Sequence, residues 1–156
     1  MVSKMDDSGF QIASPAFANN QAIPAKYTCK GENINPLLRI SGVPAGARSL
    51  ALIMHDPDAP NGNWVHWTLW NVSPTATEIV ENSVPQGARE GLTSFGKPSY
   101  GGPCPPVGNH RYYFDLYALE TEIDLPATST DQELKKAFKG KTIALAQLMG
   151  TFSAQG

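Results

Sequence analysis

The sequence predicts a mainly β fold in a single domain covering residues 1–156, and three observations carry that prediction. Three segments are apolar or aromatic, rich in branched side chains, and short enough to be strands. Glycine (14) and proline (13) are frequent and cluster between these segments, as expected of a fold with many turns. Only one stretch carries a full set of helix signals. No repeat, linker or low-complexity tract interrupts the chain, and 156 residues suit one sizeable core.

Taken in order, "SLALIM" (49–54) is an apolar run that ends at a turn signal and reads as a central strand. "NWVHWTLWNV" (63–72) is the next. Period two places Trp64, His66, Thr68 and Trp70 on one face and Val65, Trp67 and Leu69 on the other, so both faces are buried. Residues 73–105 show little periodicity and many Ser, Gly and Pro, and so long a loop in a compact domain lines a site. In "HRYYFDLYAL" (110–119), His110, Tyr112, Phe114 and Leu116 share one face; Arg111, Tyr113, Asp115 and Tyr117 share the other. The helix is "TDQELKKAFKG". Thr130 is the N-cap, Glu133 completes a capping box, Leu134, Ala137 and Phe138 form the apolar stripe, and Gly140 is the C′ residue. "TIALAQLMGTF" (142–152) fits a helix or a strand; its β-branched start and Gly-Thr-Phe end favour a last strand.

Composition narrows the function classes. Charged residues make up 17% of the chain, hydrophobic ones 41%, and the net charge is −2 with a pI near 5.9. A folded, weakly charged protein is implied, without the basic stripe that a nucleic-acid binder needs. The start, "MVSKMDDSGF", lacks the apolar region of a signal peptide, and no apolar run reaches the ~20 residues of a membrane span. A soluble cytoplasmic protein is expected; a periplasmic one whose signal has been removed would look the same. Cys29 and Cys104 form no CxxC or zinc spacing, and the sequence leaves open whether they pair or stay free.

Motif searches exclude more than they assign. Counted from Asp56, an EF-hand needs Asp or Asn, Gly and Glu at positions five, six and twelve, where Pro60, Asn61 and Trp67 stand. No GxSxG, HExxH, GxGxxG or P-loop is present. The sequon at Asn71 lies within a predicted strand and before Pro74, and is set aside. What remains is a constellation at strand ends. Pro57 holds Asp56 extended, so Asp56 and Asp58 are expected on one side. His55, His66 and His110 lie in or beside strands, and His110 follows the stiff loop "GGPCPPVGN". Taken singly, each is a core histidine or a turn aspartate; together they predict a small polar pocket at one sheet edge.

The residues resemble the phosphatidylethanolamine-binding protein family, which includes the Raf kinase inhibitor proteins, and within it the bacterial and archaeal branch. The signatures are "DPDAP" (56–60) with "WVHW" (64–67), and "GPCPPVGNHRYYF" (102–114). "SPAF", "YTCKGENINP" and "GVPAGARSLALIM" also match, so the likeness runs from about Phe10 to Phe152. It implies an antiparallel β-sandwich with a Greek-key element and one or two short helices. It also implies an anion pocket formed by Asp56, Asp58, His66, Gly102, Pro103, His110 and Tyr112. The ligand expected there is small and anionic: phosphate, phosphoethanolamine or a nucleotide-like group. A protein kinase partner follows only from the family likeness, and the oligomeric state is open, with a homodimer through an exposed loop or edge as one outcome. The chemistry asks imidazole N–H groups of His66 and His110, the Tyr112 hydroxyl and loop N–H groups near Gly102 to meet the anion. Asp56 or Asp58 would then orient His110 and keep it cationic. His55 departs from the family, where an acidic or small polar residue is expected. The chain stops soon after the last predicted strand, so no C-terminal lid is expected. No catalytic residue, cofactor or metal is assigned. The rival reading is a hydrolase in which the same Asp and His residues hold a metal, or in which a Cys104 thiol sits near His110.

Overall fold

A computed structural model describes residues 9–155. Most of the N-terminal stretch read above for a signal peptide, and Gly156, lie outside the described residues. The chain forms β1 (Gln11–Ala13), β2 (Gln21–Ala22), a 3-10 turn (Ala25–Tyr27), β3 (Leu38–Ser41), β4 (Ser49–Asp56), β5 (Trp64–Val72), β6 (Glu78–Ile79), β7 (Arg89–Glu90), β8 (Asn109–Leu119), α1 (Asp131–Ala137) and β9 (Thr142–Ser153).

Two open sheets pack face to face. The small one runs β1-β3-β6 and the large one β2-β9-β8-β4-β5-β7. After β4, β5 and β7 lie side by side, the chain returns as β8 on the far side of β4, which is the Greek-key order. The main core lies between the sheets and contains Leu38, Ile40, Leu52, Met54, Trp67, Leu69, Tyr112, Phe114, Leu116 and Leu148. A second apolar cluster lies on the other face of the large sheet, where Leu134 and Phe138 cover Ala51, Ile53 and Trp70. The strands at 49–56, 64–72 and 109–119 are therefore buried on both faces, which is why they read as near-continuous apolar runs.

β8 keeps strict period two. Tyr112, Phe114 and Leu116 enter the main core, and Tyr117 faces the helix side. β5 does not keep it. Met54 pairs with Trp67, but the next residue, His55, pairs with Val65. One extra residue, His66, is thus inserted into β5 as a β-bulge. The expected face of Trp64, His66, Thr68 and Trp70 is split by it. Trp70 packs on the helix side, whereas the His66 ring meets Tyr112 of the main core at a centroid distance of 5.2 Å. Val65, paired with His55, moves to the outer face.

The helix forms as its sequence signals direct. Thr130 Oγ1 accepts from the Glu133 N–H while the Glu133 carboxylate accepts from the Thr130 N–H. Gly140 holds the left-handed φ of +78° past the C-terminus. Ala137, expected on the apolar stripe, is exposed; Leu134 and Phe138 alone supply the buried face. Cys29 and Cys104 are joined in a disulfide across 75 residues of chain. By chain entropy such a link removes about 4 kcal/mol of freedom from the unfolded state.

Thr130→Ala removes one half of the capping box and exposes an orphan N–H. The expected loss is about 1 kcal/mol, read as a lower urea midpoint at unchanged m-value.

Candidate functional site

A cavity of about 350 Å³ opens where β4, β5 and β8 end. Its walls come from three segments. The turn after β4 supplies Ala59, Pro60, Asn61, Gly62 and Asn63; the loop before β8 supplies Cys104, Pro105 and Pro106; Phe95 comes from the long loop after β7. Asp56, His66, His110 and Tyr112 are the buried polar side chains that line it.

Asp56 organises the interior. Its Oδ2 lies 2.6 Å from His110 Nδ1, and its Oδ1 accepts the Asp58 N–H at 2.7 Å, closing an Asx turn. The other ring nitrogen of His110, Nε2, lies 3.0 Å from the Val107 carbonyl. Both ring nitrogens face acceptors, so only the doubly protonated ring donates to both. Of the two aspartates, Asp56 is thus the one that orients His110.

Asp58 goes elsewhere. Its carboxylate forms a fork with Arg111, with Oδ2 accepting from Nε at 2.9 Å and Oδ1 from Nη2 at 2.8 Å. The Arg111 bonds hold its carboxyl near a pKa of about 2. Asp58 does not line the cavity, and the expectation that both aspartates face one pocket is corrected: the Arg111 guanidinium on the outer face of β8 draws Asp58 away.

His66 is anchored in the bulge. Its Nδ1–H donates to the Gly101 carbonyl at 2.6 Å, and burial pushes its pKa down to about 4. A neutral ring whose proton sits on Nδ1 leaves Nε2 as an acceptor. His66 therefore does not supply the N–H that an anion was expected to meet. Gly101 and Gly102 shape the cavity from behind. A Cβ on Gly101 would run into the Phe95 ring and one on Gly102 into the Tyr27 carbonyl. The Gly102 N–H is spent on Asn33 Oδ1 at 2.8 Å, and the Pro103 carbonyl accepts from the Cys29 N–H. Gly102 and Pro103 are framework behind the wall, not lining residues.

Tyr112 is fully buried and its hydroxyl closes no hydrogen bond of ordinary geometry. The Asp56 carboxylate and the Cys104 N–H are polar neighbours of that hydroxyl, and burial followed by the Asp56 charge raises its pKa well above the usual phenol range. Rings form a continuous lining outward from it. Tyr112 meets His66, His66 meets Phe95 at 5.4 Å, and Phe95 meets Trp64 edge-on at 5.4 Å. Trp64 and Phe95 are 37% and 42% exposed, which makes this part of the rim apolar. Phe95 and Trp64 were not singled out from sequence. Phe95 lies in the aperiodic 73–105 segment already expected to line a site, and that was its only signal.

His55 faces away from the cavity. Its Nε2 meets Asp115 Oδ2 and its Nδ1 meets Asn63 Oδ1, each at 2.8 Å. Burial opposes its charge, but these bonds outweigh burial and leave its pKa raised. Cys104 carries no thiol, because its sulfur is bonded to Cys29. That corrects the expectation of a nucleophilic thiol near His110. Among the described residues no group of three or more His, Cys, Asp or Glu converges as a metal site. Nor is any helix there long and apolar enough to cross a membrane.

The fold is that of a known class. The family model described as phosphatidylethanolamine-binding protein matches residues 13–153, and the chain belongs to that family. A UPF0098 protein of Methanothermobacter thermautotrophicus is 44% identical over 146 residues, covering 90% of this chain and 97% of its own. One from Chlamydia pneumoniae is also 44% identical, over 91% of this chain and 97% of its own. Among solved structures, a phosphatidylethanolamine-binding protein homologue from Chlamydia trachomatis superposes with a TM-score of 0.89 at 41% identity, covering 92% of this chain and 97% of that one. YbcL of E. coli, described as a member of the mammalian family, gives 0.87 at 31% identity over 92% of this chain and 98% of its own.

Acid should act on His66. The unfolded chain binds its proton near pH 6.5 and the folded one near 4, so between these values the unfolded state carries more protons. Stability is complete above 6.5 and falls as pH drops toward 4, with a His66 share of roughly 3 kcal/mol. Urea midpoints measured across that window should fall less steeply in His66→Gln, which keeps an N–H for Gly101.

Proposed function

We propose that this protein is a small-ligand binding protein whose cavity seats a compact, oxygen-rich head group, phosphate or carboxylate, with an apolar remainder against the rim. One observation carries the reading: the Tyr112 hydroxyl, on a residue lining the cavity, closes no hydrogen bond of ordinary geometry with its polar neighbours. An unsatisfied buried hydroxyl costs about 1–3 kcal/mol, and a ligand oxygen placed there recovers it. Its high pKa keeps it a donor at all physiological pH values.

The surroundings support an oxygen ligand. The Asp56 carboxylate beside the hydroxyl would repel an anion if left bare, and the hydrogen bond it takes from His110 Nδ1 at 2.6 Å screens it. His110 Nε2–H, held by a 3.0 Å bond to the Val107 carbonyl, is a second donor that a ligand can recruit. The Cys104 N–H on the Tyr112 side is a third. At about 350 Å³ the cavity lies at the small end of ligand sites, which fits one head group and a short body. Phospholipid head groups and phosphorylated partners, including those of protein kinases, share this head-group chemistry. A hydrolase built on the same residues is the rival, and turnover of phosphate or carboxylate esters would reveal it.

Tyr112→Phe separates binding from folding. Removing an unsatisfied hydroxyl should leave the urea midpoint unchanged or slightly higher. Calorimetric titration with phosphate, phosphoethanolamine and acetate should show at least one saturable ligand for wild type and about tenfold weaker binding for the variant. No saturable binding of any of the three, or equal affinity in the variant, contradicts the reading.

A further inference from the structure

We propose that the Cys29–Cys104 disulfide is a redox latch on the cavity, whose reduction frees the Cys104–Pro106 wall and weakens ligand binding. The inference rests on the binding reading above. Three observations lead to it.

Cys104 is itself a lining residue, together with Pro105 and Pro106. The bond thus ties the 27–31 turn directly to the ligand space. Backbone hydrogen bonds hold both flanks of the wall but not the wall. Gly101 N–H donates to the His66 carbonyl at 3.0 Å, the Pro103 carbonyl accepts from Cys29 N–H at 3.1 Å, and the Gly108 carbonyl accepts from Ala154 N–H at 2.8 Å. Among the described residues no backbone–backbone hydrogen bond involves Cys104, Pro105 or Pro106. Pro105 and Pro106 have no N–H to give. The sulfur bridge is therefore the one covalent tie on this stretch, and Cys104 N–H, a neighbour of Tyr112, moves with it. Finally, both cysteines are exposed, so a thiol can reach the bond from solvent.

The chemistry is thiol–disulfide exchange with a dithiol reductant. A thiolate of the reductant attacks one sulfur of the bridge and forms a mixed disulfide. The reductant's second thiol then displaces the protein sulfur. Two electrons and two protons pass to Cys29 and Cys104, and the reductant leaves as its own disulfide. The fold itself does not hinge on the bond, because the sheets and the 100–103 strap are closed by their own hydrogen bonds.

The test compares oxidised protein, protein reduced with dithiothreitol, and protein reoxidised after removal of the reductant. Affinity for phosphate, phosphoethanolamine and acetate is read by calorimetry, and amide hydrogen exchange is read over residues 101–110. Expected is a loss of affinity of tenfold or more on reduction, recovery on reoxidation, and faster exchange confined to the loop before β8. Cys29→Ala should behave as permanently reduced. Equal affinity and equal exchange in both forms overturn the latch, as does global unfolding on reduction, which would make the bond a staple of the whole fold. If oxidised protein binds none of phosphate, phosphoethanolamine and acetate, the binding reading fails, and exchange alone decides the latch: faster in the loop supports it, unchanged overturns it.

Discussion

Asp56 is the constraint on which the site depends. It closes β4, where Pro57 stops the ladder from continuing, and each of its oxygens is committed. One turns the chain by taking the Asp58 N–H; the other fixes the His110 ring across the sheet. A carboxylate 3% exposed is costly unless hydrogen-bonded, and its bond to His110 places an imidazole and a carboxylate side by side next to the Tyr112 hydroxyl. The turn that forms one cavity wall, residues 59–63, hangs between this carboxylate and the start of β5. Outside the cavity, Asp58 with Arg111 and His55 with Asn63 brace the same turn.

The second determinant is the bulge at His66. A sheet of strict period two would send His66 to the helix side, beside Trp70. One inserted residue turns it inward against Tyr112 and lets it take the Gly101 carbonyl. The strap that carries Gly101, Gly102 and Cys104 is drawn against the sheet end in this way. It then needs two residues without side chains, because Phe95 and the Tyr27 carbonyl occupy the space a Cβ would fill. The cavity is thus a product of three local departures from regularity: an Asx turn, a bulge and a glycine pair.

That pattern explains what the sequence made legible. The two faces of β8 and the capping box of α1 were readable because each is a local rule applied without interruption. The sheet core around 49–54 was readable because burial on both sides leaves a continuous apolar run. The orientation of His66 was not, since a bulge changes parity without changing composition. Asp58 was misplaced because its partner, Arg111, lies 53 residues away and only tertiary structure brings them together. The disulfide stayed open for the same reason. β2, β6 and β7 span two residues each, too few for any period to show. The family likeness named the four buried polar residues that line the cavity, Asp56, His66, His110 and Tyr112, but it assigned a donor role to His66, whose N–H is already taken by the Gly101 carbonyl.

The account turns on Tyr112 offering a donor to a ligand oxygen while Asp56 remains bound to His110. A high-resolution crystal structure of the protein grown with phosphate tests this most directly. The account predicts an acceptor oxygen at roughly 2.5–3.0 Å from the Tyr112 hydroxyl, with the Asp56–His110 contact intact. A site without phosphate, in which the Tyr112 hydroxyl has turned to bond Asp56, would contradict it.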